Sequence, residues 1–247
     1  MKVSIITATY NSAPTIISCI NSVNNQTYNN IEHIIIDGGS VDGTLSIINS
    51  IPNRVNFIVS EPDYGIYDAM NKGIINSSGE IIGILNSDDF YTHINVITEI
   101  CSVFQEISVE CVYGDVNYVK YQNPDLILRR WKSGIFKNGS FQKGWHPAHP
   151  AFFVKRTIYE KYGMFNLKYK LAADFELMLR LLEKEKISNT YYDQVLVNMR
   201  TGGATNSSLK NIIKQNIECY QAFKDNEIHV SSFYPLLRLV PKLKQYL

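Results

Sequence analysis

The first ninety residues alternate short apolar runs with stretches of helical spacing, and each apolar run stops at a polar cluster. Val3–Ala8 reads as a buried strand. Ile16, Ile17, Ile20 and Val23 then form one stripe of a helix that Asn11 or Ser12 can cap, with Pro14 in its first turn. His33–Ile36, Val55–Val59 and Glu80–Leu85 read as three further strands, separated by helical patterns at Thr44–Ile48 and Ile66–Ile75. Strands that alternate with helices imply right-handed crossovers and a largely parallel sheet. Such sheets bind ligands beyond the carboxyl ends of their strands. The polar clusters fall at those ends: Thr9–Asn11, Asp37, Glu61–Asp63 and Asn86–Asp89. The expectation is an α/β fold, with a Rossmann-like, mostly parallel sheet flanked by helices and a site along one edge.

The rest of the chain is less regular. Cys111–Tyr118 and Ala151–Val154 read as strands around a Gly-, Lys- and Trp-rich stretch at 132–147. Ala173–Lys186 has the spacing of an amphipathic helix, 201–208 is a Gly/Ser/Thr/Asn loop, and 209–225 reads as another helix. With no repeat and no low-complexity linker, the expected division is one domain over 1–208 followed by a C-terminal helical extension at 209–247.

Composition removes several classes. At 45% hydrophobic and 12% aromatic residues the chain has the material for a core and is not a disordered one. Lys plus Arg is 24 against 23 Asp plus Glu, a net charge of +1, without the basic excess of a nucleic-acid binder. Cys19, Cys101, Cys111 and Cys219 form no CxxC pair, so reduced thiols are expected rather than a zinc site or a disulfide framework. The N-terminus carries no signal-like stretch, and no apolar run approaches the roughly 20 residues of a membrane span. A cytoplasmic protein is expected, or one resting on the inner face of the cell membrane.

Common phosphate motifs are absent. No G-x-G-x-x-G follows a strand, Gly38–Thr44 has no Lys before its Thr, and there is no Ser-centred nucleophile elbow. Asn86-Ser87-Asp88-Asp89 instead offers hard oxygen ligands at a strand end, suited to Mg²⁺ or Mn²⁺, with a plain turn as the alternative. Asp174 shares an apolar stripe with Met178 and Leu181, an unusual place for an acid without a task or a partner. Its alternative is a first-turn acid favoured by the helix dipole.

Four segments together resemble a known family: VSIITATYN (Val3–Asn11), DGGSVDGT (Asp37–Thr44), SEPDYGIYDAMNKG (Ser60–Gly73) and GEIIGILNSDD (Gly79–Asp89). They look like the successive motifs of inverting glycosyltransferase family 2, particularly bacterial surface-polysaccharide enzymes of the colanic-acid and O-antigen type. The resemblance resumes at 146–183. It implies the GT-A fold, with a nucleotide-binding half at 1–90 and an acceptor half at 91–208. It also implies that the backbone around Thr7, Ala8 and Thr9, together with the Tyr10 ring, holds the nucleobase. Asp37 would bond the base, and Asn71, Asn86 and Ser87 would contact the donor. Asp88 would ligate Mn²⁺ or Mg²⁺, while Asn86 departs from the family's usual acid. His149 would assist the metal or the diphosphate, with His146 as its competitor, and Asp174 would be the general base.

The implied function is transfer of a sugar, with inversion, from a nucleotide sugar (UDP-sugar by resemblance) to a hydroxyl of a glycan or lipid-linked glycan acceptor in surface polysaccharide synthesis. A nucleotidyltransferase and a non-catalytic sugar-nucleotide binder are the alternatives. Phe233–Leu247, apolar with Arg238, Lys242 and Lys244 and no acid, is expected to touch an anionic membrane surface, with packing on the domain or a homodimer contact as the alternative.

Overall fold

The computed structural model describes residues 1–202 and 209–237. β1 (Val3–Thr9) leads through α1 (Ile16–Asn24), β2 (Ile31–Asp37), α2 (Thr44–Ser50), β3 (Val55–Ser60) and α3 (Ile66–Ile75) to β4 (Ile81–Ile84). Then come β5 (Phe90–Tyr91), α4 (Val96–Glu106), β6 (Cys111–Lys120), β7 (Asn123–Trp131), β8 (Phe152–Lys155) and α5 (Arg156–Tyr162). The chain continues through α6 (Ala173–Leu179), β9 (Asn189–Arg200), α7 (Leu209–Asp225) and α8 (Tyr234–Leu237). The strands form one sheet in the order β3-β2-β1-β4-β8-β6-β9-β5, with β7 paired on β6.

β3, β2, β1 and β4 are parallel, whereas β8 runs antiparallel to both β4 and β6. Strand direction therefore reverses beside β4, whose carboxyl end carries Asn86–Asp89. β1 and β2 are buried at every position, as parallel strands covered on both faces are. Gly83 lets β4 lie close to β8: a Cβ there would come within 2.6 Å of the Phe153 ring.

α1 begins one turn later than its sequence pattern suggests, because the polar residues before it serve a different loop. The Asn11 side chain accepts from the Val41 N–H, and the Ser12 and Ala13 N–H groups donate to Thr44 and Asp42. The helical pattern at Ala173–Lys186 divides into α6 and a wider π-helical turn at Arg180–Lys184. Arg180 ties this region down, donating to the carbonyls of Tyr162 and Met164 and to Glu176.

α7 does not stand apart. Its Cys219, Ala222 and Phe223 join the main core with Phe175 of α6, and Glu218 accepts from the backbone N–H groups of Leu171 and Ala172 at 2.7 and 3.0 Å. The expected membrane tail is corrected at its start: Tyr234 is fully buried, its ring 4.7 Å from Phe223 and 6.4 Å from Phe175, so it belongs to the core. Residues 238–247, with the three cations of that tail, lie outside the described residues. Among the described residues no helix is long and apolar enough to cross a membrane. All four cysteines are buried and unbridged.

One buried charge is fully answered. Glu32 of β2 accepts from the Ser4 hydroxyl, the Ser78 hydroxyl and N–H and the Gly79 N–H, and pairs with Lys2. Burial raises its pKa, but Lys2 and the serine donors outweigh that and bring it down to about 2. A depressed carboxyl stabilises the fold above its unfolded pKa and loses that contribution as pH falls through the folded value. Glu32→Gln is expected to cost about 2 kcal/mol at pH 7, with Lys2 partly screened by solvent. Urea denaturation should show that gap closing as pH drops from 4.5 toward 2; an equal gap at every pH would mean the carboxylate's charge contributes nothing.

Candidate active site

The loops that follow β1, β2, β3 and β4 meet on one edge because four parallel strands end there. At β1, Tyr10 is 63% exposed and its ring borders Gly38, where a Cβ would sit 3.4 Å from the ring and 2.6 Å from Asp63. Thr7 turns inward, bonding His33 Nε2 at 2.9 Å, so only its backbone remains for a ligand. Thr9 and the Asn86 amide each keep a buried oxygen without a protein partner. Ala8 is buried, and Ser87 shares a hydroxyl bond of 2.8 Å with Ser12.

Two residues expected at the donor also carry hydrogen bonds within the protein. Asp37 is fully buried, and its carboxylate accepts from the Gly39 N–H, the Ser40 N–H and hydroxyl, and the Ser60 hydroxyl at 2.5–3.1 Å. Three of these bonds go to Oδ2 and one, from the Ser40 hydroxyl, to Oδ1, and together they shape the 38–40 loop. Asn71 donates to the Phe165 carbonyl at 2.8 Å and accepts from its N–H at 2.9 Å. Both side chains brace the backbone around the edge.

At the end of β4, burial raises Asp88 above the usual carboxylate range, with its own backbone N–H, Arg200 and His149 pulling the other way. Burial, then the neighbouring Asp88 charge, pushes Asp89 well up too. Arg200, at the end of β9, holds this corner: its guanidinium donates to the Asp88 carbonyl at 2.6 Å and to Ser18 at 2.9 Å, and lies 4.9 Å over the Phe90 ring.

Asp174 stands in the first turn of α6 with its side chain 18% exposed. One carboxylate oxygen accepts from the Tyr67 hydroxyl at 3.0 Å, and the other lies 3.2 Å from His149 Nδ1. A proton on Nδ1 would leave Nε2 as the acceptor or ligand nitrogen. His149 and Asp174 also line a mostly apolar cavity with Ile84, Met70, Phe165 and Met178. His146 goes elsewhere, its ring 4.8 Å from Trp131 and 5.5 Å from Phe175. Tyr67 and Arg200 carry no motif signal of their own, although Tyr67 falls within SEPDYGIYDAMNKG.

The profile of Glycosyl transferase family 2 matches residues 4–163. A PGL/p-HBAD biosynthesis glycosyltransferase of Mycobacterium bovis is 29% identical over 83% of this chain and 79% of its own length. A chondroitin synthase of Pasteurella multocida is 31% identical over 86% of this chain, which spans 22% of that protein. Among solved structures, S. aureus TarS 1-349 in complex with UDP-GlcNAc superimposes with a TM-score of 0.67 at 16% identity, covering 100% of this chain and 72% of that one. This chain spans only 39% of the longer TarS structure. The mannosyltransferase PcManGT from Pyrobaculum calidifontis, in complex with GDP-Man and Mn²⁺, gives 0.66 at 20% identity, covering 98% and 69%. The nucleotidyltransferase alternative falls with these matches: the chain belongs to glycosyltransferase family 2 and is a glycosyltransferase of the GT-A fold.

Proposed function

We propose that this protein moves a sugar from a nucleotide sugar, of the UDP class, to a hydroxyl of a glycan or lipid-linked glycan acceptor, inverting the anomeric centre. The observation that carries this reading is Asp174, a partly exposed carboxylate that accepts from Tyr67 and lies 3.2 Å from His149, whose charge in turn acts on Asp88 at the end of β4. The TarS complexes with UDP and UDP-GlcNAc support the donor class, and the chondroitin synthase supports a glycan acceptor.

In this reading the exposed Tyr10 ring and the backbone of Thr7–Thr9 receive the base, and Asn86 and Ser87 face the donor. Asp37 and Asn71 fix the loops around it. The acceptor hydroxyl attacks the anomeric carbon, Asp174 takes its proton, and the bond from that carbon to the diphosphate breaks. Among the described residues no three His, Cys, Asp or Glu converge into a ready metal cage. Asp88 with Nε2 of His149 nevertheless fits Mg²⁺ or Mn²⁺, which keep waters and substrate phosphate oxygens in their shell. The Mn²⁺ beside GDP-Man in PcManGT supports such a cation here. When bound, it supplies positive charge to the departing diphosphate.

Asp174→Asn is expected to lower transfer by roughly 10²–10⁴, the usual contribution of a positioned base, with UDP affinity and melting temperature unchanged. Release of UDP from a panel of UDP-sugars with glycan acceptors reads this out, and near wild-type turnover would remove Asp174 as the base. Asp88→Ala is expected to abolish the Mn²⁺-dependent part of UDP binding. Calorimetric titrations in Mn²⁺ and in EDTA decide it: equal affinities in wild type, with full activity in EDTA, would refute a metal at this corner.

A further inference from the structure

Tyr67 lies in the first turn of α3, on the donor side, yet its hydroxyl reaches across 107 residues of sequence to donate to Asp174 at 3.0 Å. Its ring is stacked on Phe165, centroids 5.6 Å apart with planes at 25°. One turn further along the same helix, Asn71 grips the Phe165 backbone through both its amide oxygen and its amide nitrogen. Phe165 is thus fixed from below by Asn71 and fixes Tyr67 from above. The phenol is left with little freedom except the direction of its O–H.

We propose that Tyr67 is the positioning residue of the general base: its hydroxyl, with His149 on the other carboxylate oxygen, sets the plane of the Asp174 carboxylate toward an incoming acceptor hydroxyl. This rests on the reading of Asp174 as the base. Rotation of a carboxylate about its last bond is broad and roughly two-fold, so one anchored oxygen leaves it free to rock. The Tyr67 hydrogen bond on one oxygen and the His149 ring 3.2 Å from the other narrow that freedom. Each oxygen keeps a second acceptor site, and the side chain's partial exposure leaves those sites open. α6 itself is held, since Glu218 of α7 accepts from the N–H groups of Leu171 and Ala172 just before it. Burial, and then the Asp174 charge, raise the phenol's pKa well above the ordinary tyrosine value, so it remains a donor throughout the working pH range.

A hydrogen bond to a carboxylate makes it a slightly weaker base, so what Tyr67 adds is orientation. Misplacement of a reacting group by about 1 Å can cost on the order of 10²-fold. The arrangement also joins the donor side to the acceptor side: α3 follows the strand beside the expected base site, and α6 carries the expected proton acceptor.

Tyr67→Phe keeps the stack on Phe165 and removes only the hydroxyl. It is expected to lower kcat by roughly 10- to 100-fold, with donor KM, UDP affinity and melting temperature unchanged. The double variant Y67F/D174N should be no slower than D174N, because the hydroxyl then has no carboxylate to position. Wild-type kcat in Y67F beside an inactive D174N would overturn the positioning role while leaving Asp174 as the base. Near wild-type activity in D174N would overturn the base reading instead. A Y67F defect confined to KM or to stability, or one that adds in full to D174N, would make Tyr67 a structural residue only.

Discussion

Complete burial of β1 is the constraint on which the other elements depend. Its seven residues have no solvent face, so both sides of the strand must be covered and both of its edges paired. β2 and β4 take the edges in parallel, and their crossover helices cover the faces. Parallel pairing then sends every loop after a strand to one edge. The exposed Tyr10 ring, the Asp37 loop and the Asn86–Asp89 corner are neighbours for that reason alone.

Charge is treated in two ways within this frame. Glu32 and Asp37 are buried with all their oxygens answered by hydrogen bonds, and they stiffen the structure. Asp88 and Asp89 are crowded into one corner, where burial disfavours their charge and Arg200 reaches them mainly through backbone atoms. A corner of that kind would gain from a bound cation, whereas the Asp37 carboxylate already accepts four bonds from neighbouring backbone and serine donors. Two strand-end acids with similar sequence settings thus have opposite chemistry, and their hydrogen-bond partners decide which is which.

The strand–helix alternation is legible in the sequence because strands covered on both faces leave unbroken apolar runs. The helices Ile66–Ile75 and Leu209–Asp225 are legible because one stripe of each is apolar. β7 and β9 are not legible: β7 is largely exposed along its length and β9 half so, and their apolar triplets, Leu126–Leu128 and Val195–Val197, are short islands among polar residues. At the site, residues within family motifs can be named in advance, but their tasks cannot. Asp37 and Asn71 are read as donor contacts on motif alone, and their hydrogen bonds add a bracing task that the motif does not encode. Tyr67 and Arg200 take their importance from partners 107 and 112 positions away, a separation that no local pattern encodes.

Gly73 gives α3 its seat against β1, for a methyl there would run into the Ile6 side chain. Tyr67 lies six residues earlier on the same rigid rod, about 9 Å along its axis. Any tilt of α3 at the Gly73 end would swing the phenol at the other end, as a lever moves about its pivot. A glycine at the far end of the helix would thereby act as a gauge for the distance between phenol and carboxylate. On the role proposed for Tyr67, a lesion at that glycine would present itself in kinetics as though the site had been damaged.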